Sequence, residues 1–578
     1  MHNFASRGVH LRLSISGEDK MKAHPQGTSP KSSDRVLSLW LLALVLLHLL
    51  PIWLFKYFPT QDGPIHLSNA RVVLEYGDPA CPVLPEYYRL NSGVGPNWFS
   101  LLSLAGLLRL FSPEIAEKLF LSVYVLALVG SAYFAILGIS RRNRFLLLLV
   151  FPFVFNHFVF LGFYNFIFGL PFVFLFLGIV LRSGSRLGWW EASLLALASV
   201  LAFFVHPLTM LAAWFMALPP LAAKVILTDP EAEEGGKALQ GRSIGSLLGR
   251  AIPIGLAALP SAGLFLHYWL SHPGSSAVRE SFSRLARNAV GLGSVITHSR
   301  WEAVPSLVLS ASFLVIGFGV LRRDALKDKR SSAVGLLIAI AAMFALYFVA
   351  PSSAGGGNWI NARLLLYPFL VAVLWFACYR FSRRERSVIT VVASLVTLAL
   401  LGFHLRSVSS LSAEVEQSLA CGADVAADST VLPVSFSRRG RDEIGAPLSW
   451  KTASFSHFAG YVAAGRCMVQ FDNYAAWKGY FPVSWRSALS PRRGRLWPDG
   501  PEGDHPAVNI RKYEELTGGR VDYVLLRDLR PEDLQNQEVV DLLDQLGRGF
   551  EEVCRDGLFG ETYLYRRNDP GTERAVQD

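Results

Sequence analysis

The chain carries little charge and few cysteines, and it lacks several short motifs of soluble enzymes. Asp, Glu, Lys and Arg make up 17% of its 578 residues, 52% are hydrophobic, and the mean hydropathy is +0.34. A soluble protein of this length carries more charge and interrupts its apolar runs more often. There is no glycine-rich phosphate loop, His-Glu-x-x-His or Cys-x-x-Cys motif. These absences argue against a nucleotide-sugar enzyme of the cytosolic type.

Long apolar runs recur between residues 36 and 403. Each has about 17–25 residues, enough for a helix to cross a hydrocarbon core of about 30 Å. We therefore predict a polytopic α-helical membrane protein with about eleven transmembrane helices. The predicted spans are 36–58, 114–139, 145–162, 165–181, 189–205, 209–227, 251–270, 304–321, 332–350, 363–380 and 387–403.

Residues 1–35 are polar and basic, and we expect them to form a disordered cytoplasmic tail. No small-residue cleavage site follows the first apolar run, which therefore reads as an uncleaved anchor. Met21 is an alternative start of the chain, because nothing before it has a structural pattern.

Basic residues between the spans predict the orientation of the chain. Clusters lie at Arg141, Arg142, Arg144, Arg182, Arg186, Arg322, Arg323, Lys327, Lys329, Arg330, Arg380, Arg383, Arg384 and Arg386. The turns at 163–165, 206–208 and 351–361 contain no Lys or Arg. The positive-inside rule then places the N-terminus in the cytoplasm and the C-terminal region outside. Much of the net charge of +10 belongs to this pattern, so we expect no nucleic-acid partner.

Two segments are predicted to lie in the membrane interface rather than to cross it. A span at 97–111 would put the cluster at Arg141 outside, so this apolar segment of about 15 residues is assigned to the interface. The outer loop at about 271–303 has Val278 and Phe282 on one helical face, and Arg279 and Arg287 on another. We expect an amphipathic helix whose arginines bind lipid phosphates.

The region 404–578 alternates short β-like runs with polar turns, and it predicts an extracytoplasmic α/β domain. Expected strands are 430–436, 467–471, 521–526, 551–555 and 561–566, with a helix at 532–546. Four cysteines lie on the predicted outer side, where disulfides form. Cys421–Cys467 is the first candidate pair, and buried free thiols are the alternative. No cysteine has zinc-ligand spacing.

The first outer loop, residues 59–113, contains the strongest candidate for chemistry. It opens Pro-Thr-Gln-Asp62-Gly-Pro-Ile-His66, only a few residues after the first span. A carboxylate at this depth is costly unless it is paired or used. If Asp62 begins a helix, His66 lies on the same face and can orient Asp62 or share its proton. The alternative is that Asp62 is only a helix cap.

The order of these features resembles the C-type (GT-C) membrane glycosyltransferases, which include protein mannosyltransferases and aminoarabinose transferases. Asp62 opens the first loop, an interfacial helix follows, and Ser112-Pro-Glu-Ile-Ala-Glu-Lys118 leads into a long second span with a basic inner end. The resemblance implies a sugar donor linked to polyprenyl phosphate, and it implies that Asp62 is catalytic. Some members have a second acidic residue where this chain has Gly63, so the resemblance leaves a divalent metal open.

Three further residues are predicted to bind substrate. Arg363 opens the tenth span, where its guanidinium suits a phosphate, and the resemblance places an arginine near this point. The alternative is snorkelling to lipid headgroups. His206 matches a histidine common at that turn in the family, although a cap or packing role is equally open. Asn358 lies in the loop before Arg363, where it can close over a sugar.

Together these features predict a glycosyltransferase of a bacterial inner membrane, acting on its outer face. Asp62 is the expected base, and the partners are a lipid-linked sugar, membrane lipids and an extracytoplasmic glycan, lipid or protein acceptor. A transporter or flippase for lipid-linked glycans is one alternative, although the halves of the chain show no clear repeat. A non-catalytic envelope scaffold is the other.

Overall fold

The computed structural model describes residues 32–568 except 92, 185–186, 228–243, 272–276, 327–328, 355–356, 501–502 and 558–560. Within these residues, ten helical segments are long and apolar enough to cross a membrane, and two shorter apolar helices accompany them. The chain is therefore a multi-pass helical membrane protein, as the sequence predicts. Most of the predicted N-terminal tail, residues 1–31, lies outside the described residues.

The helices that belong to the apolar part of the chain are α1 (Ser32–Trp53), α2 (Gly63–Glu75), α3 (Val83–Tyr87), α4 (Trp98–Leu108), α5 (Pro113–Ile139), α6 (His157–Phe160), α7 (Tyr164–Arg182), α8 (Trp189–Val205), α9 (Pro207–Leu227), α10 (Ile244–Ser271), α11 (Phe282–Val290), α12 (Ala303–Leu321), α13 (Arg330–Val349), α14 (Ile360–Leu364), α15 (Leu366–Ala377) and α16 (Arg383–Ser418). Ten of the eleven predicted spans correspond to segments long and apolar enough to cross a membrane. The fifth, 189–205, corresponds to the shorter helix α8, and the segment assigned to the interface contains the other short helix, α4.

Two spans differ from a plain helix. The third, Arg141–Phe160, consists of two 3-10 segments followed by α6, and nearly all of it is buried inside the bundle. Pro152 removes a backbone donor there, and the Asn156 side chain accepts from the Phe158 N–H to start α6. The last helix, α16, runs to Ser418 and not to the predicted end at 403. The predicted domain boundary at 404 therefore lies inside a continuous helix about 54 Å long.

The amphipathic segment forms a helix, but a shorter one than predicted. Helix α11 begins at Phe282 and buries Leu285 against α13, where the Tyr347 hydroxyl donates to the Leu285 carbonyl at 2.7 Å. Val278 instead pairs with Ser353 in an isolated antiparallel bridge. The prediction that Arg279 belongs to this helix is therefore wrong, because the backbone of the adjacent Val278 is hydrogen-bonded to Ser353.

The C-terminal region forms a five-stranded mixed sheet in the order β3-β2-β5-β7-β6. Its strands are β2 (Ser429–Ser435), β3 (Met468–Gln470), β5 (Tyr523–Leu529), β6 (Phe550–Asp556) and β7 (Glu561–Arg567). The accompanying helices are α17 (Gly460–Gly465), α18 (Ile510–Thr517) and α19 (Gln537–Gly549). Strands β2, β3 and β5 are parallel, and β6 and β7 form the predicted hairpin.

A second small sheet joins the first loop to the C-terminal domain, and the sequence did not predict it. Strand β1 (Tyr88–Leu90) pairs antiparallel with β4 (Val483–Trp485). Each strand has only three residues, too few to show an alternating pattern in the sequence. This sheet fixes the C-terminal domain over the loop that follows α2.

Two disulfides strengthen the same connection. Cys81 bonds to Cys467, and Cys421 bonds to Cys554, so the predicted pair Cys421–Cys467 is wrong. The β1–β4 sheet brings the first loop, with Cys81, close to β3 and Cys467. Strand β6, which contains Cys554, packs against the segment after α16 that contains Cys421. Cys378 is buried in the membrane domain and is not in a disulfide, and its Sγ lies 3.7 Å from the Leu374 carbonyl.

Candidate functional site

Asp62 lies in a short loop that is pinned against the turn after α6. The backbone N–H groups of Gln61 and Asp62 donate to the carbonyls of Phe160 and Leu161 at 2.9 and 3.2 Å. Gly162, in that turn, has φ +71°, and a side chain there would come within 2.8 Å of the Asp62 backbone nitrogen. Only glycine permits this close approach, so the two loops hold Asp62 in a fixed backbone position.

The Asp62 carboxylate does not cap the helix that follows it. Asp62 occupies the N-cap position of α2, yet its side chain makes no capping hydrogen bond. The Thr60 hydroxyl accepts from the Gly63 N–H at 3.1 Å, and Pro64 has no N–H to satisfy. The alternative in which Asp62 serves only as a cap therefore lacks its hydrogen bond, and the carboxylate is left for other partners.

Those partners come mainly from the C-terminal domain. The Tyr474 hydroxyl donates to Asp62 Oδ2 at 2.6 Å, and Gln61 Nε2 donates to Oδ1 at 3.2 Å. His457 Nε2 lies 4.0 Å from Oδ1. Asp62 is only 3% exposed, and this burial raises its pKa, against the opposing influence of His457, Tyr474 and Gln61. A buried carboxylate with a raised pKa is suited to accept a proton.

A second carboxylate holds His457 in place. Asp472 Oδ2 lies 3.0 Å from His457 Nδ1, so an Nδ1–H donates to it and leaves Nε2 directed at Asp62. The His457 ring stacks on Tyr474, with the ring centres 5.1 Å apart. Asp472 and Tyr474 follow β3 directly, so the edge of the sheet supplies both the hydroxyl donor and the residue that orients the histidine.

His66 does not make the predicted contact with Asp62. Its Nδ1 lies 3.2 Å from the Ser100 hydroxyl on α4, and its ring stacks on Tyr164. Burial lowers the pKa of His66 to about 4, which keeps the ring neutral near neutral pH. Although His66 is one turn along α2, its side chain packs against α4 and α7, and the structure places His457 near Asp62 instead.

Arg363 and His206, each predicted to bind substrate, lie side by side in the structure. Arg363 Nη1 lies 3.2 Å from His206 Nε2, and the guanidinium lies over Phe163 at 4.6 Å. Arg363 Nε and His206 Nδ1 are buried without a hydrogen-bond partner. In the described part of the chain, no carboxylate lies within salt-bridge distance of Arg363. Asp62, Tyr474 and Tyr480 are close enough to interact electrostatically with the guanidinium.

The remaining predicted residues lie apart from this cluster or at its edge. Asn358 is exposed, beside Trp359, whose ring meets the edge of His157 at 5.7 Å. Arg279 and Arg287 are exposed near α11, and their predicted role with lipid phosphates stays a prediction. None of the three makes a described contact with Asp62 or Arg363.

Glu117 packs against the Asp62 loop, although no role was predicted for it when the segment 112–118 was considered. It lies on α5, fully buried, and accepts hydrogen bonds from the Tyr164 and Tyr461 hydroxyls, the latter at 3.0 Å. A side chain on Gly63 would come within 2.6 Å of the Glu117 carboxylate. The absence of a side chain at Gly63 thus lets the loop pack onto α5.

The residues around Asp62 form no metal-binding cluster within the described chain. Among the described residues, one group has side-chain atoms close enough together to hold a metal ion. It consists of Glu75, Cys81 and Cys467, and its two cysteines are joined in a disulfide. Asp62 and Asp472 are separated by the His457 ring.

Comparison with models of known protein families and with curated protein sequences finds no match to this chain. The interpretation of the site consequently rests on its own geometry. Sequence reasoning found Asp62, Arg363 and His206, which lie beside the ends of apolar segments. It missed His457, Asp472 and Tyr474, because nothing in a mixed polar region distinguishes them from other polar residues.

Proposed function

We propose that this protein is a membrane glycosyltransferase that moves a sugar from a polyprenyl-phosphate donor to an acceptor hydroxyl, with Asp62 as the base. The observation that carries the proposal is the electrostatic interaction between a buried carboxylate and a partly buried guanidinium. Asp62 is free of its helix-capping role, and Arg363 has a buried, unpartnered Nε. The two groups form no salt bridge with each other, so both remain available to a substrate.

The chemistry matches these two groups. Asp62 accepts the proton of the acceptor hydroxyl as its oxygen attacks the anomeric carbon. The bond from that carbon to the phosphate oxygen breaks, and the lipid phosphate leaves with an added negative charge. Arg363 stabilises this charge, since a guanidinium binds phosphate through several donors and keeps its charge when buried. His206 holds the guanidinium, and the Phe163 and Phe166 rings exclude water around it.

The position of the site in the chain supports an outer-face enzyme of a bacterial inner membrane. The positive-inside pattern places the loop with Asp62 and the C-terminal domain on the non-cytoplasmic side. Both disulfides involve that domain, and disulfides persist in oxidising compartments. Polyprenyl-linked sugars presented at the outer leaflet would reach Asp62 and Arg363 from the membrane.

The test is sugar transfer by the full-length protein in membranes supplied with polyprenyl-phosphate sugars. We expect Asp62→Asn to lower the rate by about 10³-fold and Arg363→Gln to raise the KM for the donor. Asp541→Asn, on the surface of α19, and Arg323→Gln, in a salt bridge with Glu385, are the matched controls.

Full transfer activity of Asp62→Asn would show that Asp62 is not the base. The absence of transfer by the wild type with every donor tried would instead favour transport of a lipid-linked glycan or a scaffold role. Flipping of a fluorescent lipid-linked glycan in vesicles then separates these two.

A further inference from the structure

The segment that carries His457 is anchored to the membrane domain along its length. The backbone N–H groups of Trp450 and Lys451 donate to the carbonyls of His298 and Thr297 at 2.9 and 3.1 Å. The Ala453 N–H donates to Gln61 Oε1 at 3.1 Å. Gln61 adjoins Asp62, so the segment 449–457 contacts the same loop that holds the base.

The far end of this segment is equally constrained. Phe455 lies under the Arg527 guanidinium at 3.6 Å, and Arg527 is fully buried on β5 and paired with Glu414 on α16. His457 follows Phe455 by two residues and is then fixed by Asp472 and by stacking on Tyr474. The ring is therefore held from both sides, with Nε2 directed at Asp62.

We propose that His457, oriented by Asp472, is a positioning residue that receives the proton from Asp62. The inference rests on the proposed function. In the step, the acceptor O–H bond breaks and its proton passes to Asp62, while the acceptor oxygen bonds to the anomeric carbon. The bond from that carbon to the phosphate oxygen breaks, and the lipid phosphate departs with the electron pair. The proton then moves from Asp62 to His457 Nε2 and on to water, which restores the Asp62 carboxylate for the next turnover.

The geometry supports this order of events. The 4.0 Å between Nε2 and Oδ1 exceeds a hydrogen bond by about 1 Å, a gap that closes in many enzymes when substrate binds. His457 is partly exposed whereas Asp62 is buried, so the pair leads from the interior to solvent. The Asp472–His457 contact resembles the pairing that fixes the histidine tautomer in a catalytic triad.

The other charged and titratable groups around Asp62 do not offer this route. Tyr474 donates its hydroxyl proton to Asp62 and so stabilises the carboxylate. The side chains of Tyr164, Tyr480, Arg438 and Arg363 interact electrostatically with Asp62. Among the described residues, His457 is the single histidine within salt-bridge distance of Asp62.

The first test compares the pH profiles of transfer for the wild type and His457→Gln. We expect the variant to lose at least about tenfold in kcat with an unchanged donor KM. Its acid limb should move to higher pH by about one unit, because the influence of His457, which lowers the pKa of Asp62, is gone. Asp472→Asn should move the profile in the same direction by less.

The matched control is His505→Gln. His505 also contacts an aspartate, Asp533, at 2.8 Å in the same domain, but that pair belongs to a network with Arg441. If His457→Gln keeps the wild-type profile while Asp62→Asn is inactive, the proton relay is wrong and the proposed function stands.

A second measurement does not need turnover. Infrared difference spectra of the purified protein follow the protonation of Asp62, identified by the band that Asp62→Asn removes. We expect this band to titrate at higher pH in His457→Gln than in the wild type or in His505→Gln. An unchanged titration would overturn the coupling between His457 and Asp62, whatever the transfer assay shows.

Discussion

Two buried carboxylates each precede a helix of this protein, and they are used in opposite ways. Glu302, before α12, accepts from the backbone N–H groups of Thr297, His298 and Ser299. Asp62, before α2, accepts from side chains only, in the described part of the chain. Glu302 is fully buried and Asp62 nearly so. The two thus differ in their partners and not in their burial.

The difference separates a structural carboxylate from one available for chemistry. Three backbone donors fix Glu302 and the loop around it, so the fold would have to open before this carboxylate changed partners. Asp62 is held by Tyr474 and Gln61, whose side chains can turn without disturbing a helix. A carboxylate that must accept and release a proton in each cycle needs the second kind of surroundings.

The largest expected effect that tests this comparison is on stability at Glu302. Glu302→Ala leaves two buried N–H groups and one partly buried N–H group unpaired, and we expect it to lower the free energy of unfolding by at least about 3 kcal/mol. Asp62→Asn should change it by less than about 1 kcal/mol. Unfolding of both variants in mixed detergent micelles measures this, and the reverse order of effects would refute the distinction.

The second effect is the pH dependence of stability. Burial raises the pKa of folded Asp62 above that of the unfolded chain, so the native state holds the proton over the window between the two values. The free energy of unfolding should therefore fall as pH rises through that window, by up to about 1.4 kcal/mol per unit. Asp62→Asn should remove this contribution, whereas Asp541→Asn should retain it. An identical slope in Asp62→Asn would show that another group causes it.

The smallest expected effect on stability is at Thr60, whose hydroxyl caps α2 in place of the Asp62 carboxylate. Thr60→Val keeps the shape of the side chain but removes the acceptor for the Gly63 N–H. We expect a loss of about 1 kcal/mol of stability, typical of a lost cap. Sugar transfer should also slow, because the Asp62 carboxylate would then accept from the N–H groups at the start of α2. Thr60→Ser should restore both the stability and the transfer rate. Wild-type stability and transfer in Thr60→Val would argue against a capping function for Thr60.

The membrane domain could be predicted from the sequence because its signal is long and repeated. Apolar runs and basic clusters located the spans, and the polar residues at their ends pointed to Asp62 and Arg363. The extension of α16 to Ser418 was missed because its last turns carry polar residues. Hydropathy reports the lipid environment and does not report where a helix stops.

The half of the site in the C-terminal domain could not be predicted, for a different reason. His457, Asp472 and Tyr474 lie about 400 residues from Asp62 in the chain and meet it only through tertiary contacts. Strands β1 and β4, which bring the domains together, are three residues long and leave no periodic pattern. His66 was predicted as a partner of Asp62 because it lies four residues further along the chain. Its ring instead contacts Ser100 on α4 and Tyr164 on α7.

The pairing of the cysteines has a consequence for biogenesis. In chain order the four are Cys81, Cys421, Cys467 and Cys554, and the first bonds to the third while the second bonds to the fourth. Oxidation in order of emergence would join Cys81 to Cys421, which is not a native pair. If oxidation follows the order of emergence, the native pairs form only after that bond is exchanged, so we expect maturation of this chain to depend on a disulfide isomerase.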